Sequence, residues 1–428
     1  MNRFFTLILV GFILMTTQVQ AQSYQEISCG SNYKFQSYVQ LEQGIQKQVK
    51  NDAWDIAFTA FGTSDAGIFI NESSEGTSGE NIPQTELYDT KTDDFGAPID
   101  VNAIKNNIYY NSEASWNYGA FNENRDLKNP FDFGWGVYSP QGHTVTGNKV
   151  YVLRLRSGQF KKIKILSFVG STYTFKYADL NGDNEVTRTI DKKTDNYGQK
   201  LVFYSFTTDS TVDILPQGGY DLMYGRYVSW AKDPNGSVEQ YYNVTGILTG
   251  PGIQTAIAKG VNPETVLETE YADKYSQRMD VIGYDWKSFL GTGWSIVQDR
   301  AHFLKMPDKT IWKVVLIDFE GSATGNAVIQ KTKLGTSAIT EIQGVEAGIF
   351  PNPVNDKLYI SLDVQDVIIP TLQAVVTDIH GKNIESIQLN TTNGLNVFEV
   401  NTNAYKAGTY ILRITNGRQA IVHKFVRL

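Results

Sequence analysis

Apolar residues recur along the chain in short runs, not in long stripes of helical spacing. Lys149 to Arg156 (KVYVLRLR), Lys161 to Phe168 (KKIKILSF) and Thr172 to Tyr177 (TYTFKY) are rich in β-branched and aromatic residues, and glycine, asparagine and aspartate separate such runs. Asn181-Gly182, Asn235-Gly236, Asn393-Gly394 and Asn416-Gly417 favour tight hairpins, because both residue types tolerate positive φ. The pattern predicts an all-β chain of antiparallel strands. One helical turn is expected over residues 263–273, where Pro263 suits a first helical position and Glu264 and Glu268 favour the start.

The pattern also repeats. Ala53-Trp54-Asp55-Ile56-Ala57-Phe58 corresponds to Gly219-Tyr220-Asp221-Leu222-Met223-Tyr224, and each leads to a glycine-bearing strand, AGIFIN from Ala66 and VTGILT from Val244. Tyr151 to Phe168 matches His302 to Phe319 in length and in most apolar positions. Two copies of one β unit are therefore expected, residues 22–196 and a more divergent 197–334. A polar linker follows at 335–347, and residues 348–428 hold about seven short strands, the pattern of a small β-sandwich.

The first 21 residues differ from all of this. Arg3, an apolar run from Phe4 to Met15 and Val19-Gln20-Ala21 read as a secretory signal peptide cut between Ala21 and Gln22. No later run is long enough to span a bilayer, so no transmembrane segment is expected in the mature chain.

Composition narrows the chemistry. One cysteine among 428 residues excludes an intramolecular disulfide framework and a cysteine-built metal site. A formal charge of −7 provides no field for nucleic acid. No G-x-S-x-G, H-E-x-x-H or catalytic-cysteine context occurs, and only four histidines are present, so no enzyme is expected. Asp179 to Glu185 resembles the front of a calcium loop, but asparagine stands at its sixth position and Ile190 at its twelfth, so a hairpin is the better reading. Trp116, Trp135, Trp286 and Trp294 fall in glycine-rich or polar segments, where they either line a ligand cleft or carbohydrate surface or fill gaps between β layers.

Phe350-Pro351-Asn352-Pro353, Asp378-Ile379-His380-Gly381-Lys382, Lys406-Ala407-Gly408-Thr409-Tyr410 and Lys424-Phe425-Val426 occur in order to the chain end. This tail resembles the type A C-terminal sorting domain of the type IX secretion system. The resemblance implies a Bacteroidota-type route and the secretion machinery as partner, with release or attachment at the cell surface. Its motif residues are Pro351, Asn352, Pro353, Gly381, Gly408 and Tyr410. Gly408 is expected to supply a positive-φ turn before the strand that carries Tyr410.

Trp54-Asp55-Ile56-Ala57-Phe58 and the hairpin Tyr151 to Ile165 (YVLRLRSGQFKKIKI) are similar to the HmuY-like family of secreted or surface-anchored all-β haem-binding proteins. The resemblance implies haem or a related tetrapyrrole held by histidine or methionine in an apolar cleft. Two of the four histidines, His380 and His423, lie in the tail, which leaves His143, His302 and Met306 as the candidate ligands, with Met223 and Met279 as further thioethers. On one strand, His302 and Met306 stand about 13 Å apart, too far to share one iron without a bend. The expected protein is a secreted or surface non-enzymatic binding protein for haem or another small ligand. A structural or adhesive surface module without haem is the alternative, and a secreted hydrolase the third.

Overall fold

The computed structural model describes residues 22–62, 65–76, 85–232, 239–336, 342, 344–365, 371–378, 382–416 and 420–428. The expected leader with Ala21, the Asn235-Gly236 dipeptide, and His380 and Gly381 of the tail lie outside the described residues. Almost all regular structure is β, in antiparallel pairs. The α-helix Val101–Ile104 spans one turn, and the Asp100 carboxylate accepts the Asn102 amide at 2.9 Å to cap it. The turn expected at 263–273 is reduced to a 3-10 turn, Glu268–Tyr271.

The chain divides into two compact units, one of residues up to 306 with 312–334, the other of 307–311 with 335–428. The strands of the first are β1 (Gln22–Ser28), β2 (Phe35–Val39), β3 (Gln46–Lys50), β4 (Ile56–Thr59), β5 (Ile68–Ile70), β6 (Glu86–Asp89), β7 (Ile108–Tyr109), β8 (Gly136–Ser139), β9 (Thr144–Gly147), β10 (Tyr151–Arg154), β11 (Phe160–Val169) and β12 (Thr172–Ala178). They continue as β13 (Val186–Asp191), β14 (Leu201–Ser205), β15 (Ser210–Val212), β16 (Leu222–Lys232), β17 (Glu239–Thr249), β18 (Gln254–Lys259), β19 (Lys287–Phe289), β20 (Trp294–Ile296), β21 (Arg300–Lys305), β22 (Thr310–Phe319) and β23 (Asn326–Thr336).

The sheet orders carry a regularity that the sequence pattern did not. One outer sheet runs β6-β10-β11-β12-β13 and the other β18-β21-β22-β23-β1. One inner sheet runs β5-β4-β14-β15 and the other β17-β16-β2-β3. In both pairs β1, β2 and β3 occupy the places of β13, β14 and β15. Each half of the unit is therefore completed by the first three strands of the opposite segment. The regularity divides the chain at the Asp179–Glu185 turn, which closes the β12–β13 hairpin, where Gly182 N donates to Asp179 O at 2.9 Å. The expected boundary at 196 parts strands that share three of the four sheets.

Three apolar cores show how the sheets stack. Ile56, Phe58, Val202 and Tyr204 of one inner sheet meet Tyr151, Ile163 and Phe175 of one outer sheet. Val39, Leu222, Tyr224 and Ile247 of the other inner sheet meet Leu304, Val314 and Ile329 of the other outer sheet. Between the inner sheets lie Tyr38, Ala57, Phe69, Phe203, Met223 and Leu248. The inner sheets thus bury both faces, which is why β4 and β14 read as unbroken apolar runs instead of alternating ones. Trp135 and Trp286 are 0% and 1% exposed and serve these layers, Trp135 donating its indole N–H to Ala66 O at 3.0 Å. Cys29 is buried with its thiol 3.5 Å from Gly325 O, and burial pushes it up to about 12.

The second unit is a seven-stranded sandwich of β24 (Val345–Phe350), β25 (Lys357–Val364), β26 (Thr371–Asp378), β27 (Asn383–Asn390), β28 (Gly394–Asn401), β29 (Gly408–Thr415) and β30 (Ala420–Arg427). Sheets β24-β25-β28 and β27-β26-β29-β30 close over Leu358, Ile360, Val376, Leu412 and Phe425. β24 begins at Val345 and so takes up the last three residues of the expected linker. Asn352 explains the Pro-Asn-Pro block: its amide donates to Lys424 O and accepts from Val426 N, both at 3.0 Å, between two cis prolyl bonds at Pro351 and Pro353. Tyr410 donates to Lys406 O at 2.8 Å and its ring lies 5.5 Å from that of Phe425. Gly408 has φ of +157° and already pairs with Arg427, so it opens β29 instead of making the expected turn.

Phe58 is fully buried, 4.9 Å from Tyr173 and 5.7 Å from Phe175 ring to ring. In urea unfolding, Phe58→Ala is expected to cost about 3–5 kcal/mol through lost burial and a residual cavity. Val137→Ala, at a 39% exposed site, is expected to stay within about 0.5 kcal/mol.

Candidate functional site

One hollow of the first unit lies between the two inner sheets. Tyr38 of β2, Phe69 of β5, Phe203 of β14, Met223 and Tyr227 of β16 and Met279 line it, with Trp116 and Tyr220 at its side. Both segments of the exchange contribute walls. Its volume is about 60 Å³, room for about two to four waters.

The Trp54-Asp55 motif organises this centre. The Trp54 indole and the Tyr38 hydroxyl both donate to Gln36 Oε1, at 2.9 and 3.1 Å. Gln36 passes the network to Asn71 at 3.0 Å, and Asn71 donates to the Asn51 and Trp54 carbonyls at 2.7 and 2.8 Å. Asp55 accepts the Phe206 amide at 2.7 Å, and Asp221 accepts the Leu41 amide at 2.7 Å. The two aspartates of the repeated motif do the same job. Each holds the backbone just past a strand that came from the opposite segment. Burial raises the Asp55 carboxyl to about 6, with the Phe206 amide opposing it.

Glu72, Glu113 and Arg226 are the acidic and basic side chains that line the hollow. Glu72 accepts the Asn111 amide at 2.7 Å, and burial pushes its carboxyl up to about 8, so it is mostly protonated at neutral pH. Arg226 is 7% exposed and donates to Gly76 O at 2.7 Å, and burial holds its guanidinium below its ordinary value. Neither residue stands in a recognisable motif; only the folded walls bring Glu72 and Arg226 to one place.

The ligands expected from sequence are elsewhere. His143 is exposed in the β8–β9 turn with φ of +47°, and its Nδ1 lies 3.1 Å from the Tyr138 hydroxyl. His302 is fully buried in β21, and burial pushes it down to about 3, so it is uncharged. Met306 is half-buried just past β21 and packs on the core between the other inner and outer sheets. None of the three lines the hollow. Met223 and Met279 do, but a space of about 60 Å³ does not admit a porphyrin, so this hollow as it stands does not fit haem. Of the four tryptophans singled out, Trp116 lines the hollow and donates to Thr249 O at 2.7 Å, while Trp294 is 39% exposed against Phe289 and Phe319. Among the described residues no group of three or more His, Cys, Asp or Glu could hold a metal ion, and no helix is long and apolar enough to cross a membrane.

Residues 32–181 match the family model described as HmuY protein, a family associated with haem binding, and the match ends in the turn where the strand order begins again. Residues 348–427 match the model described as secretion system C-terminal sorting domain. The sorting tail indicates export by the type IX secretion system to the cell surface or extracellular space. Neither is an enzyme family. The search of curated proteins finds no match. Among solved structures, dimeric latent PorU from Porphyromonas gingivalis is 12% identical, with 67% of this chain and 32% of that chain covered and a TM-score of 0.17. This chain spans about a third of that one, and a likeness of that order carries no argument.

Glu72 gives a pH dependence whose sign is set by its burial. Its folded value of about 8 lies above the ordinary 4.5, so its contribution is complete below 4.5 and is lost as pH rises through about 8. Glu72→Gln should therefore flatten the fall in melting temperature between about pH 5 and pH 9. An unchanged slope in that window would mean that Glu72 ionises without penalty.

Proposed function

We propose that this is a non-enzymatic binding protein of the bacterial surface or extracellular space, and that its body adheres to a ligand other than haem. One observation carries the reading: His143 stands on the surface, His302 and Met306 face the core between the other inner and outer sheets, and none lines the inter-sheet hollow. The body is two copies of one unit, residues 22–178 and 186–336, interlocked through their first three strands. Matching strand orders and the matching Asp55 and Asp221 clamps support the duplication. The sorting tail supports delivery to the surface.

Haemin titration of the chain beginning at Gln22 tests this. The expected spectrum is that of free haemin, with no red-shifted Soret band at one equivalent. A stoichiometric band abolished by Met223→Ala or Met279→Ala would overturn the reading and place an opened haem site between the inner sheets.

A further inference from the structure

β16 and β17 are eleven residues each, whereas β2 covers only Leu222–Tyr224 of β16. Beyond β2 the two strands continue as a two-stranded ribbon, whose inward side chains Tyr227, Ala231 and Val244 still join the inner core. That ribbon presents Trp230 and Tyr241, 53% and 43% exposed, with ring centroids 5.0 Å apart and planes at 78°. Tyr110 stacks on Tyr241 at 4.0 Å and steadies it. Exposed aromatics so placed serve no core.

Two hollows flank this platform, of about 400 and 420 Å³, both within the roughly 300–1,000 Å³ of small-molecule sites. Glu113, Trp230 and Arg278 line both, so the two hollows share a wall at the indole. Behind the ring, Glu113 is held by the Ser229 hydroxyl and the Trp230 amide, and its carboxyl is raised by burial. Arg278 is fixed by Asp280, with Nε to Oδ1 at 2.9 Å.

Charge selects among ligand classes. The first hollow carries Glu113 and Glu123 against Arg125 and Arg278, and the second Glu113, Asp280 and Asp285 against Lys259 and Arg278, so neither has a large excess of one sign to select a charged ligand. Beyond their bonds within the protein, the carboxylates keep acceptor lone pairs and the guanidinium groups keep N–H donors, which a ligand rich in hydroxyls can use and an apolar ligand cannot. The indole asks for a flat apolar face. A sugar ring has both features, hydroxyls at its rim and C–H groups on its faces. We propose that the cleft around Trp230 binds a neutral oligosaccharide, stacked on the indole and hydrogen-bonded by Glu113 and Arg278, with successive sugars in the two hollows. The proposal rests on the surface-binding reading above and names its ligand.

Calorimetric titration of the chain beginning at Gln22 with cellohexaose, xylohexaose, mannohexaose, maltohexaose and chitohexaose, each alone, provides the test. At least one is expected to bind, and Trp230→Ala and Glu113→Gln are each expected to weaken it tenfold or more. Trp230→Ala should leave the melting temperature within about 2 °C, since the ring is half exposed. Binding of none of the five, or binding unaffected by Trp230→Ala, would overturn the glycan site. Preference for spermine over every sugar would overturn it in favour of a cation site. A glycan failure with haemin still unbound removes this site alone, whereas a stoichiometric Soret band removes the reading beneath it.

Discussion

Two carboxylates, Asp55 buried and Asp221 half-buried, hold the body together at its seam. Asp55 takes the Phe206 amide and Asp221 the Leu41 amide, each at 2.7 Å, and in each case the held backbone belongs to the opposite segment. Burying a carboxylate is costly, and the raised Asp55 value is the sign of that cost. The charge-assisted hydrogen bond offsets part of it and adds direction. Aspartate thus fixes where the crossing strands end, while apolar contact between sheets supplies the bulk of the attraction.

That seam determines what else the fold provides. Because the inner sheets bury both faces, their space is filled by Tyr38, Phe69, Phe203 and Met223, and the remaining hollow is small. The place where an apolar cofactor would be sought is therefore occupied by side chains. Exposed aromatic surface appears instead where β16 and β17 outrun β2 and leave Trp230 and Tyr241 in solvent. The sorting sandwich contributes delivery, with Asn352 tying its first strand to its last.

Much of this was legible in the residues. β-branched runs and glycine-bearing turns announced the strands, and the four tail blocks announced the sandwich of β24 to β30. The strand exchange was not legible, because alternation says which face is buried and not which strand lies beside it. His302 looked available as a ligand because histidine is polar, yet on β21 it lies on the side of Leu304 and is as buried as that residue. Trp135 and Trp286 lay in segments that read as loops and proved to be the most deeply buried indoles. Trp230 carries no mark in the pattern: it lies between Ser229 and Ala231, which are buried, while its own ring is 53% exposed.

The interlocking of the two segments is tested most directly by cutting the chain between them. A protease site placed at Asn181-Gly182, in the turn joining β12 and β13, allows cleavage of the folded protein, followed by size-exclusion chromatography with light scattering. The exchange of β1 to β3 and β13 to β15 predicts that both fragments travel together at the mass of the uncut chain and part only in denaturant. Fragments that separate under native conditions, each still folded, would contradict it.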